Sequence, residues 1–268
     1  MNRCLELKFQ AKKDIIPLME QFGIGFKKIA KYGIILENYR LLEYLASQGF
    51  PLKTVSSYHL DYDWFLYTKT GLLNKTKIAV AVSQGAPMAV DLAERYISSG
   101  VKHIVRIGTT GSLVDKLNLG EVVVPYASIR DEGTSKFYIH KNAPAITDIE
   151  FSQRISGQIR KKGITVHQGI SWSTDGRWKE NDQMVKDYTS SGAIAGDMES
   201  SALFAIGLEK KVSVVSASIL SDDIHEKGEG PKGLSDKDIW FNVVLPTFKL
   251  TFEAVTEVFN ELDNEKTK

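Results

Sequence analysis

The sequence contains few residues that could form disulfides or bind metal ions. Cys4 is the single cysteine among 268 residues, and the five histidines are scattered. One cysteine excludes an intramolecular disulfide and favours a reducing compartment. Cysteine and histidine nowhere occur at the spacing of a metal site, so we expect neither a metal centre nor a metal cofactor.

Long apolar runs and an excess of one charge are also missing. No run approaches the ~20 residues that a membrane-spanning helix needs. The stretch MNRCLELKFQAKKD lacks the apolar segment of a signal peptide. The formal net charge of +1 gives no overall field that attracts nucleic acid or an anionic membrane. We therefore expect a cytoplasmic protein with neither partner, in which any anion site is local.

The patterns that are present indicate an α/β domain. Hydrophobic residues make up 43% of the sequence and charged residues 25%, as in ordinary globular proteins. Continuous apolar strands alternate with amphipathic helices, which predicts one domain with a sheet covered on both faces. Strands are predicted at 77–83, 103–108, 121–130 and 212–221, and helices at 86–100, 148–163, 198–211 and 240–264.

Three polar clusters follow predicted strands, and the first is RIGTTG. An arginine at the end of an apolar strand needs an anionic partner. The two glycines predict a tight turn that directs backbone amides and the hydroxyls of Thr109 and Thr110 into one small volume. With the guanidinium of Arg106, these donors would form a cradle for a phosphate or a carboxylate. A structural ion pair beneath the glycine-rich turn is the alternative.

The second cluster is GDMESSALFAIG, at 196–207. Asp197 at a helix N-terminus would favourably complement the helix dipole. Glu199 precedes a small, apolar and therefore buried segment, where a carboxylate needs hydroxyl or cationic partners. A sugar would supply two hydroxyls, and Met198 would pack against its apolar face.

The third cluster is SILSDDI, at 218–224. A strand ending in Ser-Asp-Asp places Asp222 where its carboxyl could donate a proton to a heterocycle nitrogen. A turn or helix-capping aspartate is the simpler interpretation. Ligands of such sheets gather beyond the carboxyl ends of the strands. Ser83, Arg106 and Ser221-Asp222 all lie at predicted strand ends, so we expect one shared site.

Together, RIGTTG, GDMES with ALF, and LSDD, in this order and at these separations, resemble the nucleoside phosphorylase superfamily, which includes uridine phosphorylases and hexameric purine nucleoside phosphorylases. The resemblance covers roughly residues 77–260. It implies a single domain over 1–268 with a mixed, mostly parallel twisted sheet, in which residues 1–30 are atypical. It also implies phosphate-dependent cleavage of the N-glycosidic bond of a nucleoside, which gives a free base and ribose 1-phosphate. Phosphate would be the co-substrate, and no cofactor would be needed. The enzyme would be a homo-oligomer, either a dimer or a hexamer built as a trimer of dimers.

The resemblance also implies roles for individual residues. Arg106 and Asp222 would be catalytic, Asp222 as the acid that protonates or hydrogen-bonds a purine ring nitrogen. Phosphate would be bound by Arg106, Gly108, Thr109 and Arg40; ribose by Met198, Glu199 and His59; and the base by Thr110, Gly111, Trp178 and Asp197.

Two departures from the family pattern keep alternatives open. The Gly-Asp-Pro-x-Arg that usually supplies phosphate contacts is replaced by GIILENYRLLEYL, where Arg40 is the nearest arginine. The segment that commonly donates a second arginine from a neighbouring subunit has none, and His59 is its obvious polar substitute. Hydrolysis and binding without catalysis therefore remain alternatives to phosphorolysis.

The identity of the base is the other open point. RIGTTG is similar to uridine phosphorylases, whereas Asp222 is typical of enzymes that act on purines. In place of the Gln-x-Arg that reads uracil, this chain offers Asn181 and Gln183. We favour a purine over uridine.

Overall fold

The computed structural model describes residues 30–50, 52–57, 67–73, 76–224 and 237–265. Structural statements below concern these residues. His59 and nearly all of the predicted atypical segment 1–30 lie outside them. Among the described helices, none combines the length and the hydropathy required to cross a lipid bilayer.

The described part of the chain alternates strands and helices. The strands are β1 Tyr32–Leu36, β2 Leu52–Ser57, β3 Tyr67–Leu73, β4 Thr76–Val82, β5 His103–Ser112, β6 Val122–Val123, β7 Ala127–Asp131, β8 Ala145–Ile146, β9 Val166–His167, β10 Ile170–Thr174, β11 Ala193–Asp197 and β12 Ser213–Asp223. The helices are α1 Tyr39–Ser47, α2 Ala86–Ser98, α3 Ile149–Lys161, α4 Asp182–Ser190, α5 Ser200–Lys210, the short α6 Lys237–Ile239 and α7 Leu245–Glu265.

These strands form one mixed sheet with parallel strands at its centre. The order β2-β3-β4-β1-β5-β11-β10-β7-β8 runs across it, while β12 pairs with β5 and β6, and β6 with β9. Strands β4, β1, β5 and β12 are parallel to their neighbours in this group. Their carboxyl ends therefore meet at one edge, where the sequence predicts the site.

Helices cover both faces of the central strands, as the continuous apolar strands predict. Ile34 and Ile35 are neighbours in β1, and their side chains enter different hydrophobic clusters. The first cluster contains side chains of α1, α3 and α7, and the second those of α2 and α5. Because successive side chains of a strand point to opposite faces, a strand buried on both sides is apolar throughout.

Three predicted elements differ from the observed ones by more than two residues. The segment 121–130 forms two strands, β6 and β7, separated by Val124, Pro125 and Tyr126. Proline lacks the amide hydrogen that a central strand must donate, so pairing stops there. The last predicted helix begins with a π-helical turn, Trp240–Val244, before α7.

The third difference concerns the glycine-rich segment. Residues 108–111 continue β5 as a strand, and neither Gly108 nor Gly111 has a positive φ. The predicted tight turn is therefore wrong, and Arg106 lies inside β5 rather than at its end. Pairing with β12 extends along this segment and explains why the chain stays extended.

Candidate active site

A single cavity at the carboxyl edge of the central strands brings the predicted clusters together. Its lining residues come from β5, from the loops after β1, β4 and β10, and from the ends of β11 and β12. The lining residues are Glu37, Asn38, Gln84, Arg106, Thr109, Thr110, Gly111, Arg177, Glu180, Gly196, Asp197, Met198, Glu199, Asp222 and Ile224. Among the residues expected to bind phosphate, ribose or base, Arg106, Thr109, Thr110, Gly111, Asp197, Met198, Glu199 and Asp222 are in this set.

Arg106 is the charged centre of the cavity floor. Its side chain is 2% exposed, and Nη2 lies 2.6 Å from Oε2 of Glu199. Nη1 donates to the Ser218 hydroxyl at 2.7 Å. Burial alone would lower the pKa of Arg106, but neighbouring carboxylates, Glu199 foremost, raise it above its ordinary value. Arg106 is thus a permanently charged donor held by its surroundings.

Glu199 is fixed by two helix N-termini. It directly precedes α5, and its Oε1 accepts a hydrogen bond from the amide of Gly85, which precedes α2, at 2.6 Å. Gly85 has φ +81°, a conformation that favours glycine. Burial raises the pKa of Glu199, and the charge of Arg106 opposes this shift. The carboxylate–guanidinium pair is therefore built into the sheet edge.

The partner of Thr109 was not foreseen from the sequence. Oε2 of Glu37 accepts from the Thr109 amide at 2.6 Å, and Oε1 accepts from its hydroxyl at 2.7 Å. The same carboxylate lies 3.3 Å from Nη2 of Arg106. Glu37 thereby accepts hydrogen bonds from donors that were expected to bind phosphate. This is the structural ion pair that the sequence left open as the alternative. Its position directly after buried strand β1 was the signal that could have identified it.

The two glycines serve close approach rather than a turn. A Cβ on Gly108 would lie 2.7 Å from Oε2 of Glu37 and 2.8 Å from Cζ of Arg106. A Cβ on Gly111 would lie 2.5 Å from the Ile224 side chain and 3.2 Å from Oδ2 of Asp222. All four distances are shorter than a normal van der Waals contact, so the missing side chains leave the space that these groups occupy.

Thr110 and Asp197 line the cavity and also have structural bonds. The Thr110 hydroxyl donates to the carbonyl of Gly196 at 2.7 Å. One oxygen of Asp197 accepts from the Ser173 hydroxyl at 2.5 Å and from the amides of Glu199 and Ser200. Asp197 thus completes the start of α5, as the helix-dipole interpretation predicted, and it fixes the backbone that carries Glu199.

Asp222 projects from an irregularity in β12. Pairing with β5 shifts register between Leu220 and Asp222, and a bulge of this kind redirects side chains. Asp222 is 6% exposed and accepts a hydrogen bond from the Ser221 hydroxyl at 2.6 Å. Burial raises its pKa, while that hydrogen bond and the charge of Arg177 oppose the shift. The shift is in the direction that a general acid requires.

Trp178, Arg40 and Gly108 were expected at the site but are not among the residues that line the cavity. Trp178 is 88% exposed and does not belong to the lining set, because the turn that carries it directs its ring outward. Arg40 is exposed on α1 and is likewise absent from that set. His59 lies outside the described residues.

Asn181 and Gln183, the two residues considered for recognition of the base, are also not among the residues that line the cavity. Asn181 caps α4 by accepting from the amides of Gln183 and Met184, both at 3.1 Å. Gln183 is exposed and donates to Asp187 at 2.8 Å. Their neighbour Glu180 lines the cavity instead. The sequence signal that could have identified it is an acidic residue in the loop between β10 and α4.

Similarity to known proteins extends over most of the chain. The family model described as "Phosphorylase superfamily" matches residues 31–255, which includes every element from β1 into α7. The chain belongs to the phosphorylase superfamily. The resemblance in its motifs is thereby confirmed.

Individual relatives of this superfamily member differ in the base that their names state. The chain is 30% identical over 126 residues to a guanosine phosphorylase of Halorubrum lacusprofundi, covering 47% of this chain and 52% of that protein. It is 27% identical over 161 residues to a DeoD-type purine nucleoside phosphorylase of Buchnera aphidicola, covering 59% and 68%. It is 29% identical over 120 residues to a uridine phosphorylase of Thermococcus kodakarensis, covering 44% and 42%. The matches thus span about half of these relatives' lengths.

A solved structure shows the same fold. The crystal structure of uridine phosphorylase from Vibrio fischeri superimposes with a TM-score of 0.71 at 22% identity, covering 85% of this chain and 93% of that one. The expected fold, a mixed sheet flanked by helices, is confirmed.

Proposed function

We propose that this superfamily member cleaves the N-glycosidic bond of a nucleoside, preferably a purine nucleoside, with inorganic phosphate as the nucleophile. The observation that carries the proposal is the convergence of three groups on one cavity: Arg106 with Thr109, Glu199 with Met198, and Asp222. These are the groups that a nucleophilic anion, a ribose and a leaving base would each require.

The chemistry follows from these positions. The sugar develops positive charge as its bond to the base breaks, and the base develops negative charge. Arg106 and Thr109 would hold phosphate against the anomeric carbon, and Glu199 would accept hydrogen bonds from the ribose hydroxyls. Asp222, with its raised pKa, would donate to a ring nitrogen of the departing base. The carbon–nitrogen bond breaks, a carbon–oxygen bond to phosphate forms, and ribose 1-phosphate leaves with the base.

Hydrolysis is the second candidate, and Glu37 is the observation that favours it. Its carboxylate holds the amide and hydroxyl of Thr109. The cavity lining carries five carboxyl groups (Glu37, Glu180, Asp197, Glu199 and Asp222) and two guanidinium groups, Arg106 and Arg177. A phosphate dianion must displace Glu37 in this negative surrounding, whereas water need not. Ribose would then be the sugar product.

One assay separates these reactions. Purified protein is incubated with inosine, adenosine or uridine, with and without inorganic phosphate, and the sugar product is identified. Phosphorolysis requires phosphate and yields ribose 1-phosphate; cleavage to ribose at a rate that ignores phosphate would replace it with hydrolysis. Nucleoside binding in calorimetry without turnover would show a binding protein, and faster cleavage of uridine than of both purines would overturn the purine preference. Light scattering tests the expected homo-oligomer.

A further inference from the structure

A second cavity adjoins the active-site cavity within the described part of the chain. It is lined by Leu113, by Ile224 and by one face of α4 between Asp182 and Ser190. Ile224 also lines the active-site cavity, so its side chain stands where the two cavities meet. The second cavity has a volume of about 380 Å³, against about 140 Å³ for the active-site cavity. It therefore offers room that the active-site cavity alone lacks.

The interior of the second cavity is apolar and its rim is polar. The lining residues of α4 recur at spacings of three and four positions, so they share one side of the helix. Val185 is 7% exposed and belongs to one hydrophobic cluster with Leu113, against which Ile224 packs. Lys186 and Ser190 are exposed and lie at the rim. Cavities that bind small apolar groups have this composition.

Strand β5 connects the two cavities. Gly111 lines the active-site cavity, and Leu113, two positions further along the chain, lines the second. Ile224, directly after β12, is held beside this segment because its amide donates to the Ser112 carbonyl at 3.0 Å. The Ile224 side chain fills the space above Gly111, where an added Cβ would lie 2.5 Å from it. Backbone pairing thus fixes the position at which the cavities meet.

Asp222 lies at the same position. The point where a Cβ of Gly111 would stand is 3.2 Å from Oδ2 of Asp222 and 2.5 Å from the side chain of Ile224. The carboxyl group that would meet the base and the side chain that borders the second cavity therefore flank one point. A base bound at Asp222 would lie at the entrance of the second cavity.

The chemistry of a purine decides which of its substituents would enter. N7 and the group on C6 lie side by side on one edge of the base. C8, the other neighbour of N7, is next to the glycosidic nitrogen and hence to the ribose, which Met198 and Glu199 would hold. The group on C6 points away from the sugar. With N7 at Asp222, it is the substituent directed past Ile224.

We propose that the second cavity binds an apolar substituent at the six position of a purine nucleoside, such as the benzyl group of N6-benzyladenosine. Burial of this group removes apolar surface from water and so favours binding. The substrate class is then the 6-substituted purine nucleosides rather than the unsubstituted ones. This inference rests on the proposed function, because it requires a purine nucleoside at Asp222.

The test compares N6-benzyladenosine with adenosine in the presence of phosphate. The ratio of kcat/KM, N6-benzyladenosine over adenosine, should be about ten in the wild type, because the benzyl group is buried only in the first substrate. Ser190→Phe places an aromatic ring at the rim of the second cavity and should reduce this ratio about tenfold.

Ser191→Phe is the matched control. Both serines are exposed, and their hydroxyls donate to the same Asp187 carbonyl, at 2.8 Å from Ser190 and 2.9 Å from Ser191. Ser191 does not belong to the lining of the second cavity. Ser191→Phe therefore loses the same hydrogen bond and gains the same ring, but it should keep the wild-type ratio.

Val185→Phe tests the same cavity from its interior and should also reduce the ratio about tenfold. Structural damage would lower kcat/KM for both substrates equally and leave the ratio unchanged. A wild-type ratio of one or less would overturn the inference. A wild-type preference that neither Ser190→Phe nor Val185→Phe reduces would also overturn it, since the benzyl group would then bind elsewhere.

Calorimetry with the free bases adenine and N6-benzyladenine separates the inference from the proposed function. If N6-benzyladenine binds more tightly than adenine, Ser190→Phe removes the difference and no nucleoside is cleaved, the proposed function fails and the inference holds. If both nucleosides are cleaved with equal kcat/KM, the inference fails alone. If neither base binds and no nucleoside is cleaved, both fail.

Discussion

The Glu37 carboxylate accepts hydrogen bonds from the amide and the hydroxyl of Thr109, at 2.6 and 2.7 Å. The two residues are 72 positions apart in the chain. Thr109 was expected to bind phosphate. Glu37 occupies the amide and hydroxyl donors with which Thr109 would bind it. The competition between Glu37 and an external anion is therefore central to the chemistry of this site.

Removing the charge of Glu37 should strengthen phosphate binding. In Glu37→Gln, one carboxylate no longer repels the dianion, and the KM for phosphate should fall about tenfold. Steady-state kinetics with varied phosphate measures this, and Glu43→Gln is the control with the same chemical change at an exposed position. An unchanged KM for phosphate would show that Glu37 does not compete for this site.

Arg106 should be needed as a guanidinium rather than as a positive charge. Arg106→Lys retains a cation beside Glu199, but it loses the planar donor fork that spans Glu199 and Ser218. We expect the KM for phosphate to rise at least about tenfold. Arg95→Lys, at the helix surface pair with Asp91, is the matched control. Equal kinetics for both variants would show that a positive charge suffices at position 106 and that the guanidinium fork is not required.

Replacing Asp222 should affect purines selectively. Asp222→Asn removes the proton donor, so cleavage of inosine and adenosine should fall about 100-fold or more. Uridine cleavage should fall much less, because its leaving base does not present the same ring nitrogen. Asp187→Asn, exposed on α4, controls for the loss of an aspartate. An equal loss with all three nucleosides would contradict the acid role of Asp222.

Glu180 should make stability depend on pH. Its pKa rises from the ordinary value of 4.5 to about 7 in the folded protein, so its contribution to stability is complete below pH 4.5 and is lost as the pH rises through 7. Because Glu180 is half-buried, we expect Glu180→Gln to be more stable than the wild type by only about 1 kcal/mol at pH 8. Thermal denaturation at pH 5 and pH 8 measures this; a gain that is the same at both pH values would argue against the shift.

Two glycine-to-alanine substitutions should change the stability of the fold in opposite directions. In Gly108→Ala, the new methyl group would contact Glu37 and Arg106 at 2.7–2.8 Å. We therefore expect the free energy of unfolding to fall by about 1–3 kcal/mol. In Gly157→Ala, inside α3, nothing lies within 4 Å of the added Cβ, and helix propensity predicts a gain of about 0.5–1 kcal/mol. Urea denaturation compares the two, and a stable Gly108→Ala would show that the ion pair can move aside.

Strands β4, β5 and β12 of the central sheet could be predicted because their signal is local. A continuous apolar run such as that of β4 and the amphipathic period of α3 depend on neighbouring residues only. The predicted strand 121–130 was wrong in part because pairing within it depends on partners elsewhere, and Pro125 interrupts it. The tight turn predicted for 108–111 was wrong because β12 pairs with this segment and keeps it extended.

In the candidate site, too, local signals could be predicted from the sequence and contacts between distant segments could not. Arg106, Glu199 and Asp222 were visible as polar residues in apolar surroundings, and a buried charge must have a partner. Which partner each one has depends on distances between segments far apart in sequence. Trp178 shows the limit, because an aromatic residue in a loop carries no local signal for the direction of its ring.

The sequence by itself determined the alternation of strands and helices, the family, and the three polar clusters at one sheet edge, because periodicity and motif spacing are properties of the chain alone. Only the tertiary structure decided that Glu37 lies on the Thr109 donors and that Glu180 lies with Asp222. Those relationships arise where the carboxyl ends of separate strands meet, and burial there raises the pKa of Glu180, Glu199 and Asp222.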